Sequence, residues 1–445
     1  MDLAGKNALV VGLAKSGVAA AELLLEHGAR VRATDSRPEA GDAVRHLGIR
    51  FQAQSPEVFE GADLIVISPG VPADLEPLRM ARARGVDVIG EIELAAPFLR
   101  GEIIGITGSN GKTTTTALTG HILRESGVRV QVGGNIGTPV AAMVASSAPD
   151  QWNVLELSSF QLETIREFRA HIGVALNVTP DHLDRHHTLA NYAAAKGRLF
   201  ETQRAGDFAV LNVDDEACRE YATRTAARVN WFSLKHAVDP GAWLDDGRLM
   251  LSGERLLDAA ELPLRGLHNV ENTLAAALAA ALAGVPREAI AAAIRTFRAV
   301  EHRLEFVARV AGVDFYNDSK ATNVDATLKA LDAFPGGLWV ILGGKDKGSD
   351  YRTLIGPLKR KAKAVLLVGA AAPIIREHLG GAVPLVEAGT LDQAVRAGFA
   401  SAAPGDTVLL APACASFDQF QNYEHRGATF KALVRSLEEA HGCFA

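Results

Sequence analysis

Short apolar runs alternate along the chain with longer segments whose apolar residues recur at helical spacing. Ala8–Val11, Arg30–Thr34, Leu64–Ile67 and Val86–Ile89 read as strands, and Val18–His27 reads as a helix that Gly28 stops. Glu93–Glu102 reads as a short helix and connector. A second block opens with the strand Ile103–Ile106, a glycine-rich turn and the helix Thr113–Glu125, ended by Gly127. Strands follow at Trp152–Leu157, Ile172–Asn177 and Phe208–Asn212, and a helix over Asn272–Leu282 closes the block. A third block has strands at Val313–Tyr316, Leu338–Leu342, Ala364–Val368 and Thr407–Leu410. This rhythm predicts three α/β blocks with largely parallel sheets, spanning 1–92, 93–299 and 300–445, the last boundary falling within Phe297–Arg303. Ligands of such sheets sit beyond the carboxyl ends of the strands, so the informative residues should follow those runs.

Composition narrows the reading. The 445 residues suit about three domains. Lys and Arg number 46 against 52 Asp and Glu, a net charge of −6, which suggests no polyanion-binding surface and hence no nucleic-acid partner. With 48% hydrophobic and 22% charged residues the chain is not disordered. Cys218, Cys414 and Cys443 form no CxxC pair, which excludes a disulfide framework or a Cys-rich zinc module and fits a reduced compartment. The run Ala8–Val11 is too short for a signal-peptide core, and the Ala-rich stretch Leu274–Val285 is about half a membrane span. That stretch reads as a buried or amphipathic helix, and the protein as cytoplasmic, without membrane contact. No fixed-period repeat is evident.

The clearest chemistry is in GSNGKTTT (108–115), between a strand and a helix. Glycines let the backbone wrap phosphate oxygens, and a helix N-terminus favours negative charge. Gly108, Ser109, Asn110, Gly111, Lys112, Thr113 and Thr114 are therefore candidate nucleotide contacts. Lys112 suits the β/γ-phosphates and the Thr113 hydroxyl a Mg²⁺ ion. The loop is a shortened form of the common pattern, since position 106 is Ile106 and Gly105 lies one residue too early. Glu156, ending a strand, is a candidate carboxylate for Mg²⁺ opposite Thr113. Asp181, His182 and Asp184 follow another strand. His182 and His186 have the spacing of one helix face, but no third zinc ligand accompanies them. In the first block GLAKSG (12–17) resembles GxGxxG with Ala14 at the middle glycine, which counts against a dinucleotide. Asp35 stands where a ribose-binding acid would. SPG (68–70) can line the same crevice.

Taken together these segments resemble the Mur ligases of peptidoglycan synthesis. GSNGKTTT, ELSSFQLE (156–163), NVTPDHLDRH (177–186), GLHNVENTLAA (266–276), EHRLE (301–305), NDSKATN (317–323) and GGKDKGSDY (343–351) carry the likeness, from Gly12 to about Phe430. PACASFDQFQNYEHRG (412–427) most resembles the D-glutamate-adding branch. The resemblance implies an N-terminal Rossmann-like domain for a UDP-linked substrate, a central P-loop ATPase-type domain and a C-terminal Rossmann-like domain for the amino acid. It implies a monomer that uses ATP and Mg²⁺ to join D-glutamate to UDP-N-acetylmuramoyl-L-alanine through an acyl phosphate.

By the same resemblance Lys112, His182, Lys196 and Lys320 are catalytic. Asn269, Asn272, Arg303 and Asp318 join the loop in binding ATP. Ser16, Gly17, Asp35, Ser36, Arg37, Ser68, Gly70, Asn135 and Ser158 face the UDP-linked substrate. Thr322, Lys347, Ser416, Phe417 and Tyr423 surround D-glutamate. Thr113, Glu156, His182 and a carbamylated Lys196 hold metal. A folylpolyglutamate synthase or a meso-diaminopimelate-adding ligase is the near alternative, disfavoured by the 412–427 motif. A NAD-dependent dehydrogenase is disfavoured by Ala14. A nucleotide-binding regulator leaves Glu156, His182, Lys320 and Ser416 unexplained as a set.

Overall fold

The computed structural model describes residues 1–298 and 300–442; Cys443 and Ala299, at the expected second boundary, lie outside them. Among the described residues, strands alternating with helices build three sheets. Met1–Glu261 with Glu271–Thr296 form one compact unit, which holds the first two sheets. Leu262–Val270 with Phe297–Ala445 form another, which holds the third. No helix among the described residues is long and apolar enough to cross a membrane.

The first sheet is wholly parallel, in the order Arg50–Ala53, Arg30–Asp35, Asn7–Val11, Leu64–Ile67, Asp87–Gly90. The order reverses at Asn7–Val11, which opens a crevice at that strand's carboxyl end. The helix Lys15–Glu26 packs there with Ala19, Ala20, Ala21, Leu23 and Leu24 buried. A Cβ on Gly17 would lie 1.9 Å from the Gly12 carbonyl oxygen, so this close helix–strand approach demands glycine.

The second sheet runs Glu254–Asp258, Arg248–Leu251, Gly241–Asp245, Arg228–Ser233, Phe208–Asn212, Ile172–Ala175, Glu102–Thr107, Trp152–Glu156, Val130–Gly134. Its first three strands form an antiparallel meander at the edge, and the other pairings are parallel. Ile106 pairs with Glu156 on one side and Val174 on the other. Three central strands therefore release their following loops at one edge. The Ala-rich stretch is a core helix: Leu267–Leu282 keeps Leu274 through Ala280 buried on every face.

The third sheet runs Glu305–Val310, Val313–Asn317, Thr407–Leu410, Leu338–Gly343, Ala362–Val368, Leu385–Gly389, parallel except for the first hairpin. Leu410 pairs with both Asn317 and Ile341. The loops after these three strands again emerge side by side.

Candidate active site

The glycine-rich loop joins Glu102–Thr107 to the helix Lys112–Glu125. Gly111 has φ 85°, and a Cβ there would meet Asn272 Oδ1 at 2.1 Å. Glycine is required both for the left-handed turn and for the close approach of Asn272. The neighbouring strand end fastens the loop. The Asn177 carbonyl accepts the Ser109 N–H at 2.8 Å, and Asn177 Oδ1 accepts the Asn110 N–H at 2.9 Å. Ser109 Oγ donates to the Thr179 carbonyl and accepts the Thr179 N–H, each at 2.9 Å. The Ser109 hydroxyl thus holds the loop itself. Asn177 and Thr179 were not singled out from sequence, although they lie in the motif that carried Asp181 and His182.

Two lysines converge on this loop. Lys112 Nζ donates to the carbonyls of Gly108 at 2.8 Å and Ser109 at 2.9 Å. Lys196 Nζ donates to the same Gly108 carbonyl at 2.7 Å. Lys196 is buried, with its Nζ 4.4 Å from the centroid of the Tyr192 ring. Burial, reinforced by the charge of Lys112, holds its amine well below the usual lysine range. Beside them the Thr113 hydroxyl donates to Glu156 Oε2 at 2.7 Å, and Asn135 Nδ2 donates to Glu156 Oε1 at 2.8 Å. Glu156 is 1% exposed. A hydroxyl and a carboxylate at a phosphate loop are hard oxygen donors of the kind Mg²⁺ takes. Among the described residues no three His, Cys, Asp or Glu side chains converge to hold a metal unaided. The donor set fits Mg²⁺ nonetheless, because that ion completes its shell with water and phosphate oxygens.

His182 shares Phe160 and Tyr192 as ring neighbours with His186. It caps the single turn Leu183–His186 in the left-handed region, at φ 53°. Its backbone N–H donates to Asp181 Oδ1 at 3.0 Å, and its ring meets Phe160 edge-on at 4.8 Å. His186 is buried against Ser159 Oγ, 2.9 Å from its Nε2, and burial lowers its pKa. His186 is a packing residue. Ser158 caps the turn Ser159–Leu162 in a reciprocal capping box with Gln161.

At the first sheet's crevice Asp35 is a structural anchor. Its Oδ2 accepts the Leu13 N–H at 2.7 Å, and its Oδ1 accepts the Arg37 N–H at 2.9 Å and Arg37 Nε at 3.3 Å. Burial alone would raise this carboxyl, but those bonds from Arg37 and Leu13 leave it below the usual carboxylate range. Ser68 Oγ donates to the Gly12 carbonyl at 2.7 Å. Ser36 and Arg37 are exposed, Ser16 is half-buried, and Gly70 faces open space. These residues lie together beyond the ends of three adjacent strands.

In the other unit, Asp318, Lys320 and Thr322 follow Val313–Asn317, Lys347 follows Leu338–Gly343, and Ser416 and Phe417 follow Thr407–Leu410. Lys320 Nζ lies 3.6 Å from the centroid of the Tyr423 ring. Burial pushes the Asp318 carboxyl up to about 7, against the charge of Arg303 and a hydrogen bond from Leu304 N–H. Asn269 is buried and donates to the Arg265 carbonyl at 2.7 Å. Phe417 is 67% exposed, an unusual position for a large apolar side chain.

Two supports of these loops went unread in the sequence. Arg426 is buried and donates from Nη2 to the Ser319 carbonyl at 2.8 Å and from Nε to Ser319 Oγ at 3.0 Å. Its Nη1 and Nη2 each reach the Cys414 carbonyl at 3.2 Å. It ties the segment bearing Lys320 to the one bearing Ser416. Asp346, next to Lys347, accepts the Tyr351 hydroxyl at 2.6 Å and the N–H groups of Gly348 and Ser349 at 3.0 and 3.2 Å. Cys414 is a buried thiol 3.0 Å from that same hydroxyl, and burial pushes its pKa up to about 11, which suits a structural role. No motif spacing announces such supports.

Known proteins agree with this layout. Residues 6–90 match the Mur ligase MurD-like N-terminal domain, 106–280 the Mur ligase middle domain, and 302–414 the Mur ligase glutamate ligase domain. The chain is 70% identical to a UDP-N-acetylmuramoylalanine–D-glutamate ligase of Solibacter usitatus over 98% of this chain and 99% of that one. It is 54% identical to the enzyme of that name from Acidobacterium capsulatum, over 98% and 97% of the two chains. Among solved structures, the UDP-N-acetylmuramate-alanine ligase of Thermotoga maritima shares its fold at 19% identity and TM-score 0.63, covering 97% of this chain and 99% of that one. With full-length identity of 70% and three family domains in order, the chain belongs to the Mur ligase family, in its MurD-like branch.

Proposed function

We propose that this protein is an ATP-dependent ligase that joins D-glutamate to the L-alanine carboxylate of UDP-N-acetylmuramoyl-L-alanine, a step of peptidoglycan precursor synthesis. The observation that carries this reading is the 70% identity, over nearly the whole chain, to an enzyme of that name. The phosphate loop, with its paired Thr113 and Glu156, supplies the matching chemistry.

A carboxylate is a poor electrophile because it is already negative. In this reading its oxygen attacks the γ-phosphorus of ATP, the bond to the β-phosphate oxygen breaks, and ADP leaves. The amine of D-glutamate then attacks the acyl carbon, the bond to the phosphate oxygen breaks, and the amine loses a proton as phosphate departs. Such transfers need positioning and charge neutralisation more than covalent help. Lys112 neutralises the phosphates, and the N-terminus of Lys112–Glu125 adds its dipole. Mg²⁺, when bound, withdraws charge from the phosphoryl oxygens. Thr113 and Glu156 would hold one ion; His182 and Lys196 would serve a second, Lys196 after its amine adds CO₂ and releases a proton to become a carbamate. Lys320, Arg303, Asp318, Asn269 and Asn272 act on ATP. Thr322, Lys347, Ser416, Phe417 and Tyr423 receive D-glutamate. Ser16, Gly17, Asp35, Ser36, Arg37, Ser68, Gly70, Asn135 and Ser158 form the UDP-substrate side. For Gly17, Asp35 and Ser158 the contribution is to shape the backbone there.

We assign the UDP-linked substrate to 1–92, ATP to 93–299 and the amino acid to 300–445. The enzyme acts as a cytoplasmic monomer, away from membranes and nucleic acid, and supports cell-wall biogenesis, cell shape and division. The test is phosphate release from ATP with UDP-N-acetylmuramoyl-L-alanine across a panel of amino acids. Turnover with D-glutamate alone is expected, lost in Lys112→Ala. Turnover with meso-diaminopimelate in preference to D-glutamate would refute the acceptor assignment.

A further inference from the structure

The first unit has a pocket of about 550 Å³, whose lining includes Asp74, Arg79, Arg82, Glu163, Arg166, Arg185 and Arg198. Five guanidinium groups face two carboxylates. Arg185 is neutralised by Glu163 at 2.7 Å, and Arg166 by Asp87 at 2.7 Å. Arg79, Arg82 and Arg198 have no carboxylate partner among the described residues. Backbone oxygens hold the latter two in place without cancelling their charge: Arg82 Nη1 donates to the Ala73 carbonyl at 2.6 Å, and Arg198 Nη2 donates to the Ile165 carbonyl. Arg198 Nε is buried with no acceptor among the described residues. Burial, together with repulsion from Arg166, lowers the Arg82 pKa from its ordinary value. Uncompensated positive charge in a concave site carries a standing electrostatic cost that an anion would relieve.

The pocket is lined by His186, near His182, but by none of the residues assigned above to ATP, metal, the UDP-linked substrate or the amino acid. Val88, which lines it, pairs with Ile65 near the start of Leu64–Ile67, whereas Ser68 and Gly70 lie beyond that strand's end. It includes no residue of the phosphate loop.

We propose that this pocket is a second anion site that takes a small molecule carrying a diphosphate. Arginine presents a planar fork of donors that matches phosphate oxygens in pairs, and several guanidinium groups on one cavity suit a multiply charged anion better than a single carboxylate. Its volume lies in the range of about 300–1,000 Å³ usual for small-molecule sites, enough for a diphosphate with a further group attached.

The test is calorimetric titration of wild-type and Lys112→Ala protein with inorganic diphosphate and with ADP, without Mg²⁺. Lys112→Ala weakens the phosphate loop, so binding that persists in it comes from the pocket or from the UDP-substrate side, and the Arg variants tell the two apart. The expected result is persistent binding that Arg82→Gln and Arg79→Gln each weaken about tenfold, the scale of one charge-assisted contact, with Arg82→Lys intermediate. Arg79 is exposed, so its variant reads the charge even if Arg82→Gln disturbs packing. Binding of inorganic diphosphate identifies the bare group as sufficient, and binding of ADP alone shows that the nucleoside is also read. Binding that disappears in Lys112→Ala, binding indifferent to both Arg variants, or no binding of either probe would overturn the proposal.

Discussion

Replacing Glu91 by glutamine should remove a pH-dependent weakness from the first unit. Glu91 is 2% exposed and starts the helix Glu91–Ala95, directly after the last strand of the first sheet. Its Oε1 accepts the Ala141 N–H at 2.6 Å, in the helix Val140–Met143 beside the second sheet, while Oε2 is buried without a partner among the described residues. Burial pushes its carboxyl from 4.5 up to about 7, against the N–H groups of Ala141 and Val140, which favour the ionised form. A carboxyl raised on folding stabilises the fold as the neutral acid. That contribution is whole below about pH 4.5 and is lost as pH rises through about 7. The full difference corresponds to about 3 kcal/mol, of which about 2.5 kcal/mol falls between about pH 5 and 8. Glutamine keeps the shape and an oxygen for the Ala141 N–H but carries no charge. The stability of Glu91→Gln relative to the parent should therefore rise by about 2.5 kcal/mol over that interval in urea unfolding followed at several pH values. Other raised groups, Asp318 among them, titrate in both proteins and cancel in the difference. A difference that stays constant with pH would refute the reasoning.

Three further outcomes are expected. Because burial lowers its amine's pKa, Lys196 should form a carbamate visible by NMR after exposure to ¹³C-bicarbonate, and Lys196→Arg should abolish both that signal and ligation. Tyr351→Phe deletes the hydroxyl that steadies Asp346 beside Lys347. The KM for D-glutamate should rise about three- to tenfold, the scale of one hydrogen bond to a charged group, with the KM for ATP unchanged. Thr116 is fully buried and its hydroxyl has no partner among the described residues, so Thr116→Val should leave stability unchanged or raise it by up to about 1 kcal/mol in thermal unfolding.

What the sequence revealed of the fold follows from burial. Leu64–Ile67 and Thr407–Leu410 are strands with every residue buried, and their apolar runs mark them within a residue or less. Arg50–Ala53 is an edge strand with no fully buried position, and Glu305–Val310 alternates exposed and buried residues beside one partner; neither produces an apolar run. The meander from Gly241 to Asp258 is likewise a sheet margin rich in charge. Helix starts were blurred where no side chain caps them. Lys112–Glu125 opens from the left-handed Gly111 and not from a capping Ser or Asp.

The candidate site was legible where chemistry needs a residue type and obscure where it needs support. The loop announced itself through Gly111, Lys112 and Thr113, yet its shortened form had no explanation in one dimension. Position 106 is isoleucine because it is a fully buried residue within the strand Glu102–Thr107, so the turn begins only at Gly108. The missing length is compensated from outside the loop, by Asn177 and Thr179, which bond Ser109 and Asn110 directly. The same folding brings Lys196 onto the Gly108 carbonyl that Lys112 also holds. Burial, reinforced by the neighbouring charge of Lys112, lowers the pKa of the Lys196 amine. The lowered pKa that opens Lys196 to carbamylation is therefore a consequence of how the chain buries it against the loop, and spacing along the chain cannot display it.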